Sequence, residues 1–179
     1  MIIPGFIIAW ITFPGVIVHE AAHLLFCKLR RVAVYKVCFF QFSNPVGYVL
    51  HEPPADFLST FLICVGPFLI NSALCVLFCF PAYLPHRVFH REDFVCYFLL
   101  WLGVSIGMHA FPSTQDAKVL WSQATAAARR LNPLAVLSLP LVVVIYAANV
   151  GSIFWLDFIY GLAIGLGLPE LVFDYLGKV

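Results

Sequence analysis

His19, Glu20 and His23 spell His-Glu-x-x-His inside Met1–Cys27, a stretch with no other histidine and no other charged side chain. On an α-helix, residues four apart lie one turn above each other on one face, so two imidazoles at this spacing can grip a single metal ion. Glu20 then stands beside the metal without ligating it, placed to take a proton from a bound water. Zinc held by two histidines and a carboxylate keeps a position open for water and lowers its pKa towards about 7. Hydroxide becomes available at neutral pH, and hydrolysis of an amide is the chemistry it suits. The alternative is a chance match in which the histidines satisfy a polar helix contact. The surroundings weigh against that, because an ionisable side chain at membrane depth costs about 2.5 to 3.5 kcal/mol on insertion scales and marks a functional site by default.

A third protein ligand must come from the chain's nine acidic residues and six histidines. His19 precedes Lys28 by nine residues, which puts the metal roughly 12 to 14 Å inside the membrane boundary and asks for a ligand at similar depth. Asp116 answers best: it follows the apolar run Phe94 to Phe111, and Pro112 can break that helix so that irregular backbone lines a cavity. Asp116 would otherwise serve as the N-cap of a helix over 117–130. Asp157 and Glu170 are weaker candidates, and His109 either ligates or supports the ligands through a hydrogen bond. His51 and Glu52 lie on a loop that can reach the mouth of the site. Asn71 is an amide in an apolar helix; it either donates to a substrate carbonyl or hydrogen-bonds between helices.

The elements that position these groups are set by composition. Hydrophobic residues make up 63% of the 179, charged residues only 11%, and mean hydropathy is +0.97; a soluble domain carries about 25% charged residues. An all-α polytopic membrane protein follows. The uncharged run from Phe57 to Phe80 is 24 residues, enough for the roughly 30 Å hydrocarbon core. Phe94 to Phe111, 18 residues with His109 alone ionisable, is near the lower limit of a span. Pro133 to Pro169 contains one charge, Asp157, and makes two helices if Asn149 to Ser152 forms a turn. With Met1 to Cys27, about five transmembrane helices are expected, or four and a re-entrant segment. Residues 1–179 read as a single membrane-embedded domain, with a core over 1–130 and accessory helices over 133–175.

Eight of the ten cations (Lys28, Arg30, Arg31, Lys36, Lys118, Arg129, Arg130, Lys178) fall on one side of this topology, against Arg87 and Arg91 on the other. Positive charge marks the cytosolic side, so the N-terminus is expected outside and the site towards the cytosol. The first segment lacks a basic n-region and a small-residue cleavage site, and is expected to be retained. Val32 to Phe42 and Val46 to Leu50, rich in β-branched and aromatic residues and divided by Asn44-Pro45, predict a small cytosolic β-hairpin at the membrane surface. The Ala-rich 113–130 segment predicts a partly amphipathic interfacial helix. The six cysteines show no metal-ligand pairing, and Cys75 and Cys79 share a helix face as a packing pair. The bilayer is the expected partner, and no nucleic acid is.

Taken together, the embedded HExxH, Gly66-Pro67 followed by Asn71, and Pro112 followed by Asp116 resemble the site-2 protease family of intramembrane zinc metalloproteases, over roughly residues 14–120. The resemblance implies a minimal, divergent member without peripheral domains, one Zn2+ held by His19, His23 and Asp116, and Glu20 as catalytic base. It implies cleavage of transmembrane helices of membrane-protein substrates near the cytosolic side. Three residues rather than the family's two separate Gly66-Pro67 from Asn71, turning Asn71 by about 100° from the expected face. Gln115-Asp116-Ala117 stands where the family has Leu-Asp-Gly. The alternative is a catalytically inactive, protease-like protein that binds transmembrane segments as partner or chaperone; an intact Glu20 argues against it. A prenyl-protein-type zinc protease wants a Glu third ligand and more spans, and a metal transporter wants ionisable residues on successive helices.

Overall fold

In the computed structural model, which describes residues 5–89 and 93–176, the expected first span is broken. α1 (Gly5–Ile11) and α2 (Phe13–Leu29) meet at Thr12 with a 93° bend. Pro14 has no N–H to donate, so a helix running through it would lose a rung; in the first turn of a new helix it loses nothing. Thr12 closes α1 by donating its hydroxyl to the Ile8 carbonyl at 2.8 Å. At the other end of α2, Arg31 takes a left-handed φ of 55°. This lets Val32 N–H reach the Cys27 carbonyl and Arg31 N–H the Lys28 carbonyl, a Schellman stop.

β1 (Val34–Cys38) and β2 (Tyr48–His51) pair antiparallel, with Val37 opposite Val49 and a bulge between Val34 and Lys36. They form the expected hairpin, packed on α2. α3 (Phe57–Phe89) begins at Asp56, whose carboxylate accepts from the Ser59 hydroxyl and backbone N–H and lies 3.7 Å from Arg30. The Ser59 bonds hold the Asp56 carboxyl below its ordinary pKa. The helix runs unbroken through Gly66-Pro67, and Phe26 of α2 lies directly over Gly66.

α4 (Phe94–Met108) packs against α2 and α3, and α5 (Thr114–Arg129) buries Ala117, Leu120 and Ala124 while its exposed side mixes Gln115, Lys118, Ser122, Gln123 and Arg129 with Val119 and Trp121, as expected of a partly amphipathic segment. α6 (Pro133–Gly151) turns over at 152–155 into α7 (Leu156–Leu162). One π-helical stretch, Ala163–Gly167, then joins α7 to α8 (Leu168–Leu176). The 133–175 region is therefore two helices, but they divide at 152–155, about three residues beyond the expected Asn149 to Ser152 turn, because α6 continues through Gly151 and the chain reverses at the left-handed Trp155.

Among the described residues, three helices are long and apolar enough to cross a bilayer: Phe57–Tyr83, Pro133–Gly151 and Leu156–Tyr175; the bent α1–α2 pair makes a fourth if it counts as one span. The expected fifth, Phe94 to Phe111, supplies only the 15 residues of α4, about 22 Å. Hydropathy continues to Phe111, but the helix ends at Met108 ahead of Pro112. Leu137, Val144, Leu77 and Phe94 are each more than 60% exposed; such apolar faces suit lipid rather than water. Arg91 and Lys178, used for orientation, lie outside the described residues, as do residues 1–4.

The helices meet through small residues. Gly15 of α2 abuts the Ser105 carbonyl and the His109 ring, and the fully buried Cys75 and Cys79 face Gly103, Gly107 and Gly165. A Cβ at Gly15 has no room, whereas one at Gly5 meets nothing within 4 Å. Gly15→Val should therefore destabilise by about 1 to 3 kcal/mol and lower the thermal transition of the detergent-solubilised protein. Gly5→Ala should leave it unchanged.

Candidate metal centre

α2 presents His19 and His23 on one face, both buried, with ring centroids 4.8 Å apart. Each ring nitrogen has a defined task. His19 Nδ1 lies 2.7 Å from the His109 carbonyl, and a carbonyl only accepts, so Nδ1 carries the proton and Nε2 of the neutral ring is a lone pair. That lone pair points at His23 Nε2, 3.1 Å away. His23 Nε2 in turn lies 3.3 Å from Asp116 Oδ2. Ligand atoms of His19, His23 and Asp116 all fall within 4.8 Å of one another. Tetrahedral zinc with bonds of about 2.0 to 2.1 Å separates its ligands by roughly 3.3 Å, so the contacts at His23 match such an ion. The donor set, two imidazoles and a carboxylate, suits zinc as well.

Asp116 reaches this position through the broken segment after α4. It is not the N-cap of α5. Ser113 is, and Asp116 sits three residues on in a capping box: Ser113 Oγ accepts from Asp116 N–H, and Asp116 Oδ2 accepts from the Ser113 backbone N–H and hydroxyl. The oxygen that completes the cap is also the one facing His23. A Ser-x-x-Asp pattern before a helix is a readable signal for this arrangement, and it marks Ser113 as a site residue that the metal motif alone does not reveal. Pro112 is buried, and its carbonyl accepts from Asn149 Nδ2 of α6 at 3.0 Å.

His109 supports the site, but with its backbone. Its carbonyl orients His19, while its ring Nε2 lies 2.8 Å from Thr12 Oγ1 at the α1–α2 bend. Thr12 has already given its proton to Ile8, so the imidazole donates. Asn71 is fully buried, and its amide nitrogen lies 3.1 to 3.3 Å from the carbonyls of Gly15, Ile106 and His109. These are interhelical contacts, and Asn71 does not line the neighbouring cavity. Glu170 is exposed on α8, and His51 and Glu52 do not line the cavity either.

A cavity of about 290 Å³ is lined by His19 and Glu20, whereas His23 and Asp116 do not line it. Val46 of the hairpin loop lines it, and Gly47 passes so close that a Cβ there would come 2.8 Å from Glu20 Cγ. The loop is seated by aromatic contacts, with Phe40 on Phe13 and Phe42 on Trp10 at ring-centroid distances of 5.7 and 5.6 Å.

Ser113→Ala removes a donor to Asp116 together with the helix cap. It should weaken zinc binding by about tenfold to a hundredfold in a chelator competition titration, and cost about 1 kcal/mol of stability. No protein-family model, curated protein or solved structure matches this chain, so its functional reading rests on the residues and geometry described above.

Proposed function

We propose that the protein is a zinc-dependent intramembrane endopeptidase, of the site-2 protease type that its motifs resemble. The observation that carries this reading is the convergence of His19, His23 and Asp116 from two separate elements, with Glu20 beside them on a cavity wall. Bound there, zinc would supply a Lewis acid and an acidified water. Glu20 stands next to the first ligand on α2 and faces the cavity, where it takes the proton from the attacking water and passes it to the leaving amine. The carbonyl of His109 holds His19 in the tautomer that leaves Nε2 free. Ser113 fixes Asp116.

The substrate class follows from the setting. The cavity lies among helices apolar enough for a bilayer, so the peptide most readily delivered to it is a transmembrane segment that has unwound locally. The amides of an intact helix are closed to attack. An extended segment can lie along the hairpin, whose loop already borders Glu20. The surplus of Lys and Arg next to α2 and α5 favours a site towards the cytosolic face. Asn71 serves this reading as a brace for the His109 carbonyl, not as a substrate contact. A non-catalytic binder would have no use for a carboxylate held beside three metal-ligating groups.

Glu20→Gln should retain stoichiometric zinc in elemental analysis yet cleave no transmembrane peptide in reconstituted vesicles. His23→Ala and Asp116→Ala should lose the metal. Full cleavage by Glu20→Gln, or undiminished zinc in both ligand variants, would refute the proposal.

A further inference from the structure

The cavity continues beyond the candidate centre. Its 290 Å³ chamber is lined by His19 and Glu20 of α2 together with Asn149, Ser152 and Asp157 from around the α6–α7 turn. A second chamber of about 250 Å³ shares His109, Thr114, Asn149, Ser152 and Asp157 with the first and reaches Gly5 and Ile8 of α1. Shared walls make this one space, running from the metal side past His109 to the turn between α6 and α7. A water occupies about 30 Å³, so the space admits a side chain and a short extended segment but not a helix.

Asp157 distinguishes the part of this space beside the α6–α7 turn and lines both chambers. It is the single charged residue between Pro133 and Pro169, and in the first turn of α7 its carboxylate accepts from backbone alone among the described residues, the Phe158 N–H at 2.9 Å and its own N–H. No lysine or arginine lines either chamber. No neighbouring side chain donates to Asp157 among the described residues: Asn149 Nδ2 turns an N–H to the Pro112 carbonyl, Ser152 Oγ donates to the Ala148 carbonyl, and the His109 ring donates to Thr12. A carboxylate offers about four acceptor positions, and one left in apolar surroundings needs a partner.

We infer that this end of the cavity is a side-chain subsite in which Asp157 selects a hydrogen-bond-donating, and best a cationic, residue of the bound segment. The inference rests on the hydrolytic reading of the centre. An ammonium or guanidinium group takes the open lone pairs in charge-assisted bonds. An apolar side chain of equal length covers the carboxylate and returns nothing, which is how a polar subsite rejects an analogue lacking the donor.

Lysine hydroxamate and norleucine hydroxamate share a zinc-binding group and a four-carbon side chain and differ by the terminal ammonium. With the zinc-loaded full-length protein in detergent, calorimetric titration should find the lysine compound binding at least about tenfold tighter. Asp157→Asn should abolish that preference while keeping zinc content and norleucine hydroxamate affinity, and Asp157→Glu should restore it. Equal binding of the two compounds to the wild type overturns the inference without needing any variant, as does a preference that survives Asp157→Asn. Failure of both compounds to bind the zinc-loaded wild type, or binding that persists in His23→Ala, overturns the hydrolytic reading itself and the subsite with it.

Discussion

α4 stops at Met108 in an apolar part of the chain, and the backbone carbonyls freed at its end have little water to turn to. A backbone polar group left unsatisfied in hydrocarbon costs several kcal/mol. Two side chains from other helices meet the carbonyl of His109: His19 Nδ1 of α2 at 2.7 Å and Asn71 Nδ2 of α3 at 3.1 Å. Satisfying one broken helix end therefore fixes the rotation of α2, the contact of α3 and the tautomer of His19 together. Gly15 and Ser105 allow the approach, because any larger residue at 15 would hold α2 away from α4. The same break delivers Asp116. Pro112 keeps 109–113 out of helix, Asn149 satisfies its carbonyl, and α5 starts at a capping box whose carboxylate faces His23.

What was legible in the sequence were groups whose type and spacing carry their own meaning. His19 and His23 four apart on a helix had to share a face. Asp116 stood out as an acid just past a helix-breaking proline, and the geometry brings all three together. Backbone roles leave no such trace. His109 drew notice through its imidazole, yet the atom that touches His19 is its carbonyl, which every residue has. Asn71 was read as either a substrate contact or a helix tie because an amide in an apolar helix serves both; only the three carbonyls around it distinguish the two.

The fold divides in the same way. β-branched and aromatic runs predicted the hairpin, because local propensity decides it, whereas Asn149 to Ser152 foretold a break after α6 but placed it about three residues early. Span counting fared less well. A hydropathy window registers apolar length but not where backbone bonding ends, so Phe94 to Phe111 counted as a span although only 15 residues are helical. Pro14 carried the signal for the bend at Thr12, yet a 93° turn inside one apolar run emerges only when Thr12 closes α1 and His109 holds the corner. The docking of the hairpin loop over Glu20 depends on the missing Cβ of Gly47, and a glycine in a loop has too many ordinary explanations to foretell it.

Charge balance gives the strongest physical reason to place an ion at this centre. Asp116 and Glu20 bring two carboxylates beside two buried imidazoles, in a part of the protein with no lysine or arginine on the cavity wall. Isolated carboxylates in such surroundings are unfavourable by far more than a single hydrogen bond returns. A dication bound with two neutral histidines and two carboxylates would sum to zero, as suits a low dielectric. His19 and Glu20 line the cavity, whereas His23 and Asp116 do not. The triad would hold the proposed ion, and Glu20, which is not one of its ligands, stands on the cavity wall to move a proton. Asp157 lies outside this group on the same cavity wall, where the proposed subsite would supply its counter-charge.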